Sequence, residues 1–118
     1  MGVIWVITPI SIFGGDFLIK STSISSYLTE IISADNTGGI TVSFLSFTNV
    51  ADTDSILDVY LVKSGEVASN KNIFIKSLKF PINETLISEG EHIYLSTGDS
   101  ILARCVGDIT AVCSYCVN

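Results

Sequence analysis

The feature that most constrains the fold is a run of alternating apolar residues near the carboxyl end, which Gly-Asp pairs interrupt. Apolar and polar positions alternate over residues 93–106 and 109–117, with Gly98-Asp99 inside the first run and Gly107-Asp108 between the two. A period of two residues is typical of a β-strand with one buried face, and Gly-Asp pairs favour tight turns. We therefore predict an antiparallel meander of three strands in this stretch.

The rest of the chain carries the same pattern in short segments. Residues 21–26 are rich in Ser and Thr and are predicted to be a connector, and a hairpin is predicted around residues 35–39. The alternation in residues 40–48 changes phase, which indicates a register shift. Further strands are predicted over residues 17–20, 27–33, 40–48, 56–63, 73–80 and 85–88.

A count of eight to ten short strands, with no helical periodicity, determines the predicted fold class. Such a pattern indicates an all-β protein, an antiparallel β-sandwich of jelly-roll type with an extended N-terminal arm. The Gly98-Asp99 and Gly107-Asp108 turns are expected at one end of the sandwich.

The composition fits one domain with more apolar surface than a monomer needs. The chain has 118 residues, and 47% of them are apolar, which is enough for a single core. Charged residues make up 15% of the chain, against roughly 25% in an average soluble protein. Mean hydropathy is +0.55. We expect residues 16–118 to form the β-sandwich domain and part of its surface to be buried in a homo-oligomer.

The first residues are unusually apolar. Residues 1–15 contain no charged side chain, and Pro9 cannot donate to a strand ladder, which suits an edge strand or an arm. Without a basic start or about 20 unbroken apolar residues, the segment matches neither a signal peptide nor a membrane span. We predict that residues 1–15 form an arm or edge strand that contacts a neighbouring subunit. An ordinary first strand in the chain's own core is the alternative. The predicted interface residues are Val3, Ile4, Trp5, Val6, Ile7, Ile10, Ile12 and Phe13.

Charge and cysteine spacing argue against nucleic-acid and metal binding. Twelve acidic residues oppose six basic ones, and the scattered basic residues form no patch for phosphates. Cys105, Cys113, Cys116 and His92 are a permitted zinc set by residue type. Residues three apart in a strand point to opposite faces, however, so Cys113 and Cys116 cannot reach one ion. We predict no metal, cofactor, nucleic-acid or membrane partner, with Cys105 and Cys113 as core residues.

The sequence also lacks a convincing catalytic pattern. A Ser-His-Asp triad is possible by composition, but no G-x-S-x-G motif accompanies His92. The pairs Asp52/Asp54 and Glu89/Glu91 could serve in glycoside hydrolysis or bind calcium, yet both lie in turn-like stretches where acidic residues are common. We therefore predict that the chain is not an enzyme. Aromatic residues that could stack on a sugar are spread along the chain: Trp5, Tyr27, Tyr60, Tyr94 and Tyr115.

Several segments together carry a family resemblance. They are IYLSTGDSI at residues 93–101, a strand ending in Cys105-Val106, residues 109–112 before Cys113-Ser114-Tyr115, IISADN at 31–36, ITVS at 40–43, FPINETL at 80–86 and MGVIWV at 1–6. This pattern resembles small β-sandwich virion structural proteins of tailed bacteriophages, especially phages of marine bacteria and cyanobacteria. In those proteins a Gly-Asp-Ser turn precedes a final strand that ends in Ser-Tyr or Ser-Gly. The cysteines at the end of this chain depart from that pattern.

The resemblance implies a structural role without catalysis. A protein of this kind is a head decoration, neck or tail accessory component of the virion that binds other virion proteins. A receptor- or glycan-binding module of a phage fibre is the alternative. In a symmetric assembly one modest interface acts many times, so each contact can be weak while the whole is strong.

Overall fold

The described part of the chain consists of eight β-strands. The computed structural model describes residues 17–118, except for the side chains of residues 89–91. The predicted arm, residues 1–15, and the predicted interface residues within it lie outside the described residues. The strands are β1 (Phe17–Ile24), β2 (Thr29–Ser33), β3 (Ile40–Asn49), β4 (Ser55–Val62), β5 (Ile73–Phe80), β6 (Thr85–Leu95), β7 (Ser100–Val106) and β8 (Ile109–Val117).

The strands form two antiparallel four-stranded sheets that pack against each other. Sheet A has the order β1-β8-β3-β6, and sheet B has the order β2-β7-β4-β5. Buried residues from both sheets belong to one hydrophobic cluster. The predicted all-β antiparallel β-sandwich is therefore confirmed, and eight strands in this order make a jelly roll.

The predicted meander and the predicted hairpin are wrong, because most consecutive strands lie in different sheets. β6 and β8 belong to sheet A, whereas β7 between them belongs to sheet B. Likewise β2 and β3 flank the turn at residues 35–39 but pair with β7 and β8. Within residues 17–118, β4 and β5 are the one pair of consecutive strands that hydrogen-bond to each other. Turn residues allow a chain to reverse, and they do not decide whether it returns in the same sheet or the opposite one.

The two Gly-Asp turns lie at opposite ends of the sandwich, and not at one end as predicted, because β7 separates them. Gly98-Asp99 is at the end that also holds the β2–β3 and β4–β5 loops, which we call end 1. There the Gly98 amide donates to the Ala34 carbonyl at 2.7 Å, and the Asp99 carboxylate accepts from the Ser64 amide at 2.9 Å. Gly107-Asp108 is at end 2, where the Asp108 carbonyl accepts from the Val50 amide at 3.0 Å.

Two predicted strand boundaries also need correction. The first four residues of the predicted connector at 21–26 continue β1, because Thr22 and Ile24 align with β8 on the inner face of sheet A. The predicted short strand at residues 85–88 is the beginning of β6, which runs on to Leu95. Hydroxyl side chains are short enough to fit either face of a strand, so a Ser/Thr-rich segment is not by itself a sign of a loop.

The core is built from the side chains that point inward at alternating positions of each strand. In β3 the alternation changes phase at a register shift between Val42 and Phe44, as predicted, so that Ser43 is an extra residue and Phe44 points outward. In β4, Leu57 and Val59 are buried on the predicted face. The inward residues of β3, each no more than 3% exposed, are Ile40, Val42, Leu45, Phe47 and Asn49.

Candidate functional site

The surface that stands out is the outer face of sheet A. Residues paired across antiparallel strands share a face of the sheet, and the registers define four rows that cross all four strands. From end 1 to end 2 the rows are Phe17–Cys116–Thr41–Tyr94, Ile19–Ser114–Phe44–Glu89, Ser21–Val112–Ser46–Ile87 and Ser23–Thr110–Thr48–Thr85. We call these positions the outer face of sheet A.

None of the described side chains on the outer face of sheet A is charged. Apart from Glu89, whose side chain is not described, its residues are apolar, aromatic, hydroxyl-bearing or, at one position, a thiol. The most exposed apolar side chains lie on the two edge strands: Ile19 is 75% exposed on β1, and Tyr94 is 72% exposed on β6. The hydroxyls of Thr48 and Thr85 are 2.9 Å apart in the row nearest end 2. Burying the described side chains of this face would remove no ion from water, and their hydroxyl groups would need hydrogen-bond partners.

The outer face of sheet B differs in charge. It carries Glu30, Asp58, Lys79 and Arg104 at outward positions of its strands. The Arg104 Nε lies 3.4 Å from the Asp58 carboxylate, and the Arg104 guanidinium lies 6.0 Å from the centre of the Tyr60 ring. Charged residues in such numbers are typical of a face in contact with water.

The remaining acidic residues concentrate at the ends. End 2 carries Asp52, Asp54, Glu84 and Asp108 in its loops, without a basic residue in the same loops. The loops of end 1 hold both signs of charge: Asp35, Lys63, Glu66, Lys71 and Asp99. Among the described residues, the acidic side chains therefore lie at the two ends and on the outer face of sheet B, and none lies on the outer face of sheet A.

The cysteines are distributed as strand geometry predicts. Cys105 and Cys113 are 3% and 0% exposed in the core, on β7 and β8. Cys116 aligns with Phe17 and Thr41 on the outer face of sheet A, opposite in direction to Cys113. Burial raises the pKa of the Cys105 and Cys113 thiols above the usual 9.0. All three cysteines are free.

One of the three thiols is expected to react with a water-soluble disulfide reagent in the native protein. Cys116 is half-buried at the surface, whereas Cys105 and Cys113 are buried. Burial keeps the reagent from both core thiols and raises their pKa, which disfavours the reactive thiolate form. Titration at pH 8 is expected to give one fast equivalent, and the other two after unfolding in denaturant. Cys116→Ser should abolish the fast phase. Equal rates for all three thiols would contradict the burial of Cys105 and Cys113.

The candidate metal ligands whose side chains are described are not brought together, and the candidates Glu89 and Glu91 lie outside the described side chains. Within residues 17–118, apart from the side chains that are not described, no group of three or more His, Cys, Asp or Glu residues is placed to hold an ion. The Asp54 carboxylate accepts a hydrogen bond from the Ile82 amide at 3.3 Å, a role in the loop structure of end 2. His92 is exposed on β6.

The tyrosines do not form one stacking platform. Tyr27 is 80% exposed in the β1–β2 loop, Tyr60 is buried beside Arg104, and Tyr94 lies on the outer face of sheet A. Tyr115 packs against the core. Trp5 is outside the described residues.

An open cleft of about 850 Å³ lies at end 1, where the β4–β5 loop meets β5. Its lining includes Lys63, Glu66, Asn72 and Phe74. The Phe74 side chain is 47% exposed. An aromatic ring beside amide and charged groups gives the cleft some of the features of a polar small-molecule site.

The outer face of sheet A was not predicted from the sequence. The signal is present, because the outward positions of β1, β3 and β8 are occupied by Ser, Thr and apolar residues where Lys and Glu are usual. It becomes visible only after the register assigns each residue to a face.

Within residues 17–118 there is no helix of the length and apolarity needed to cross a membrane. Comparison with models of known protein families finds no match, and no curated protein matches the chain.

Proposed function

We propose that the chain is a structural, non-enzymatic component of a tailed-phage virion, a head decoration, neck or tail accessory protein that works through contacts with other virion proteins. The observation that carries the proposal is the outer face of sheet A, which crosses four strands without a described charge. The sequence resemblance supplies the setting in the virion.

The chemistry of this face suits a protein contact. Ser and Thr hydroxyls both donate and accept, so they can exchange hydrogen bonds with water for hydrogen bonds across an interface. Apolar side chains such as Ile19 and Ile87, which are 75% and 51% exposed, gain by leaving water. A strongly charged partner would find no described ionic side chain to pair with on this face. The apolar residues from Val3 to Phe13 are part of the proposal as a further contact with a neighbour.

The localisation of the chain in purified particles tests this proposal. In density-gradient fractions of the phage that encodes the chain, quantitative mass spectrometry is expected to find it at a constant ratio to the major capsid protein. A non-structural protein of the same phage serves as the control and should be lost during purification. If the chain is lost together with that control, the assignment to the virion is wrong.

A second candidate function is receptor or glycan binding by a phage fibre, and the cleft at end 1 favours it. Phe74, whose side chain is 47% exposed, lines the cleft together with Asn72 and Lys63. A glycan array probes this candidate directly. Binding that Phe74→Ala abolishes, with Tyr27→Ala as the control at another exposed aromatic residue, would support it. If the chain binds no glycan on the array, this second candidate function is excluded.

A further inference from the structure

We propose that the cleft at end 1 binds an acidic saccharide, a sugar that carries a carboxylate or sulfate group. The inference rests on the second candidate function, glycan binding, and gives that candidate a ligand class. It is independent of the outer face of sheet A, because the cleft belongs to β4, β5 and the loop between them.

Basic residues are concentrated around this cleft. The β4–β5 loop and β5 hold four of the six basic residues of the chain and one acidic residue, Glu66. Of these residues, Lys63, Lys71 and Glu66 line the cleft. Among the described side chains, Arg104 and Asp58 form the one ion pair, so neither cleft lysine contacts a carboxylate. In a chain with a net charge of −6, two lysines without a carboxylate partner make this cleft a favourable place for an anion.

The loop that forms one wall of the cleft is held by its own hydrogen bonds. The Asn72 side chain donates to the Val67 carbonyl at 2.9 Å and accepts from the Ser69 amide at 2.9 Å. The Asn72 carbonyl accepts from the Leu61 amide at 2.9 Å. The wall is therefore formed before a ligand arrives, and less conformational freedom is lost on binding.

The exposed aromatic residue adds a preference for a sugar. Phe74 lines the cleft and is 47% exposed, so its ring can pack against the C–H face of a sugar. The cleft volume of about 850 Å³ lies within the range of small-molecule sites, about 300–1,000 Å³. A lysine acts as a point charge, without the planar fork of arginine. The site should therefore select negative charge and accept carboxylate and sulfate alike.

An acidic peptide added as a strand to β5 is the rival ligand, because β5 is an edge of sheet B. The pairing of β5 with β4 shifts register opposite Asp58. Ser77 there has a φ of 51°, and its amide donates to the Asp58 carboxylate at 2.7 Å. A bulge of this kind, with Lys76 and Lys79 on the same strand, disfavours the addition of another strand. The structure therefore favours the saccharide.

Pairs of sugars that differ in one group test the inference on the full chain. Titration of isotope-labelled protein, followed by amide chemical shifts, compares glucuronate with glucose and galacturonate with galactose. We expect the acidic sugar of each pair to bind at least about fivefold more tightly, since two exposed lysines contribute. The shifts should fall in residues 63–74. Glucose sulfated at its primary hydroxyl should match glucuronate within about threefold. Equal affinities within both pairs, or no binding up to about 100 mM, overturn the inference.

Variants of the lining locate the charge that matters. Lys63→Gln/Lys71→Gln should abolish the preference for acidic sugars and leave the affinity for neutral ones unchanged. Lys76→Gln/Lys79→Gln removes the same charge outside the cleft lining and should keep the preference within about twofold. Glu66→Gln should raise the preference, because it removes the opposing carboxylate. Raising NaCl from about 20 mM to about 500 mM should reduce it. If both lysine pairs have equal effects, the preference comes from the charge of the whole chain and the inference is wrong.

The outcomes separate this inference from the functions proposed above. Neutral sugars that bind in the cleft as tightly as acidic ones overturn the ligand class and leave glycan binding as a candidate. Tetraglutamate that binds more tightly than both acidic sugars assigns the cleft to a protein partner and also overturns the inference. Neither result bears on whether the chain is present in particles. Thermal unfolding of every variant shows whether a lost preference reflects a lost fold.

Discussion

Replacing Asn49 with aspartate is expected to lower the free energy of unfolding by roughly 3–5 kcal/mol at neutral pH. Asn49 is 1% exposed on the inner face of β3 near end 2. Its amide nitrogen donates to the carbonyls of Thr53 at 3.0 Å and Phe80 at 2.9 Å, and its oxygen accepts from the Ala51 amide at 2.9 Å. Aspartate keeps the acceptor but loses both donors, and it places a buried negative charge against two carbonyl oxygens.

The pH dependence of the Asn49→Asp variant has a defined sign. Burial and the two carbonyls hold the pKa of the new carboxyl above its unfolded value of about 3.9. The folded state therefore binds the proton more tightly, and the penalty relative to the wild type should shrink as the pH falls to about 4. Urea denaturation at the two pH values measures both effects. Asn70→Asp adds the same charge at an exposed loop residue and should cost less than about 0.5 kcal/mol. Similar costs for both variants would contradict the hydrogen-bonding role of Asn49.

Gly39→Ala is expected to cost roughly 2–3 kcal/mol. Gly39 precedes β3 with a φ of 74°, in the left-handed region that side chains rarely adopt. An added Cβ would lie directly against the Leu95 carbonyl oxygen and 3.3 Å from its carbon. The backbone cannot easily move away, because the Gly39 carbonyl accepts hydrogen bonds from the Asn118 amide at 3.0 Å and from the Asn36 side chain at 2.8 Å.

Gly65→Ala is the matched control for Gly39→Ala. Gly65 has a similar φ of 81°, but an added Cβ there would have no atom within 4 Å. Its cost should be limited to the backbone term of about 1 kcal/mol. The difference between the two variants in chemical denaturation isolates the clash with Leu95. Equal costs for the two variants would mean that the Gly39 backbone does not lie against the Leu95 carbonyl as described.

The sequence was sufficient to predict strands where alternation is regular. Ile73–Phe80 was predicted with its observed bounds, and the register shift in β3 was visible as a change of phase. The order of the strands was not predictable in this way. Whether the chain crosses to the other sheet after Gly107-Asp108 depends on the pairing of β8 with β1 and β3, which are distant in sequence. The local turn residues carry no information about that choice.

The candidate site was harder to predict than the fold. The predicted interface residues lie before Phe17, outside the described residues. The described contacts therefore do not test that prediction. The outer face of sheet A combines residues such as Ile19, Val112 and Ile87 from strands far apart in the chain, and their adjacency follows only from the registers. In each strand alone these positions look like ordinary solvent-facing alternation.

Hydroxyl-radical footprinting of the assembled protein tests most directly whether the outer face of sheet A is covered by another protein. Tyr94 on that face and Tyr27 in the β1–β2 loop are 72% and 80% exposed in the isolated chain, so they form a matched pair of the same residue type. In the assembled state we expect oxidation of Tyr94 to fall severalfold, while Tyr27 keeps the rate it has in dilute monomer. Equal oxidation of the two tyrosines in the assembled state would contradict a contact through this face.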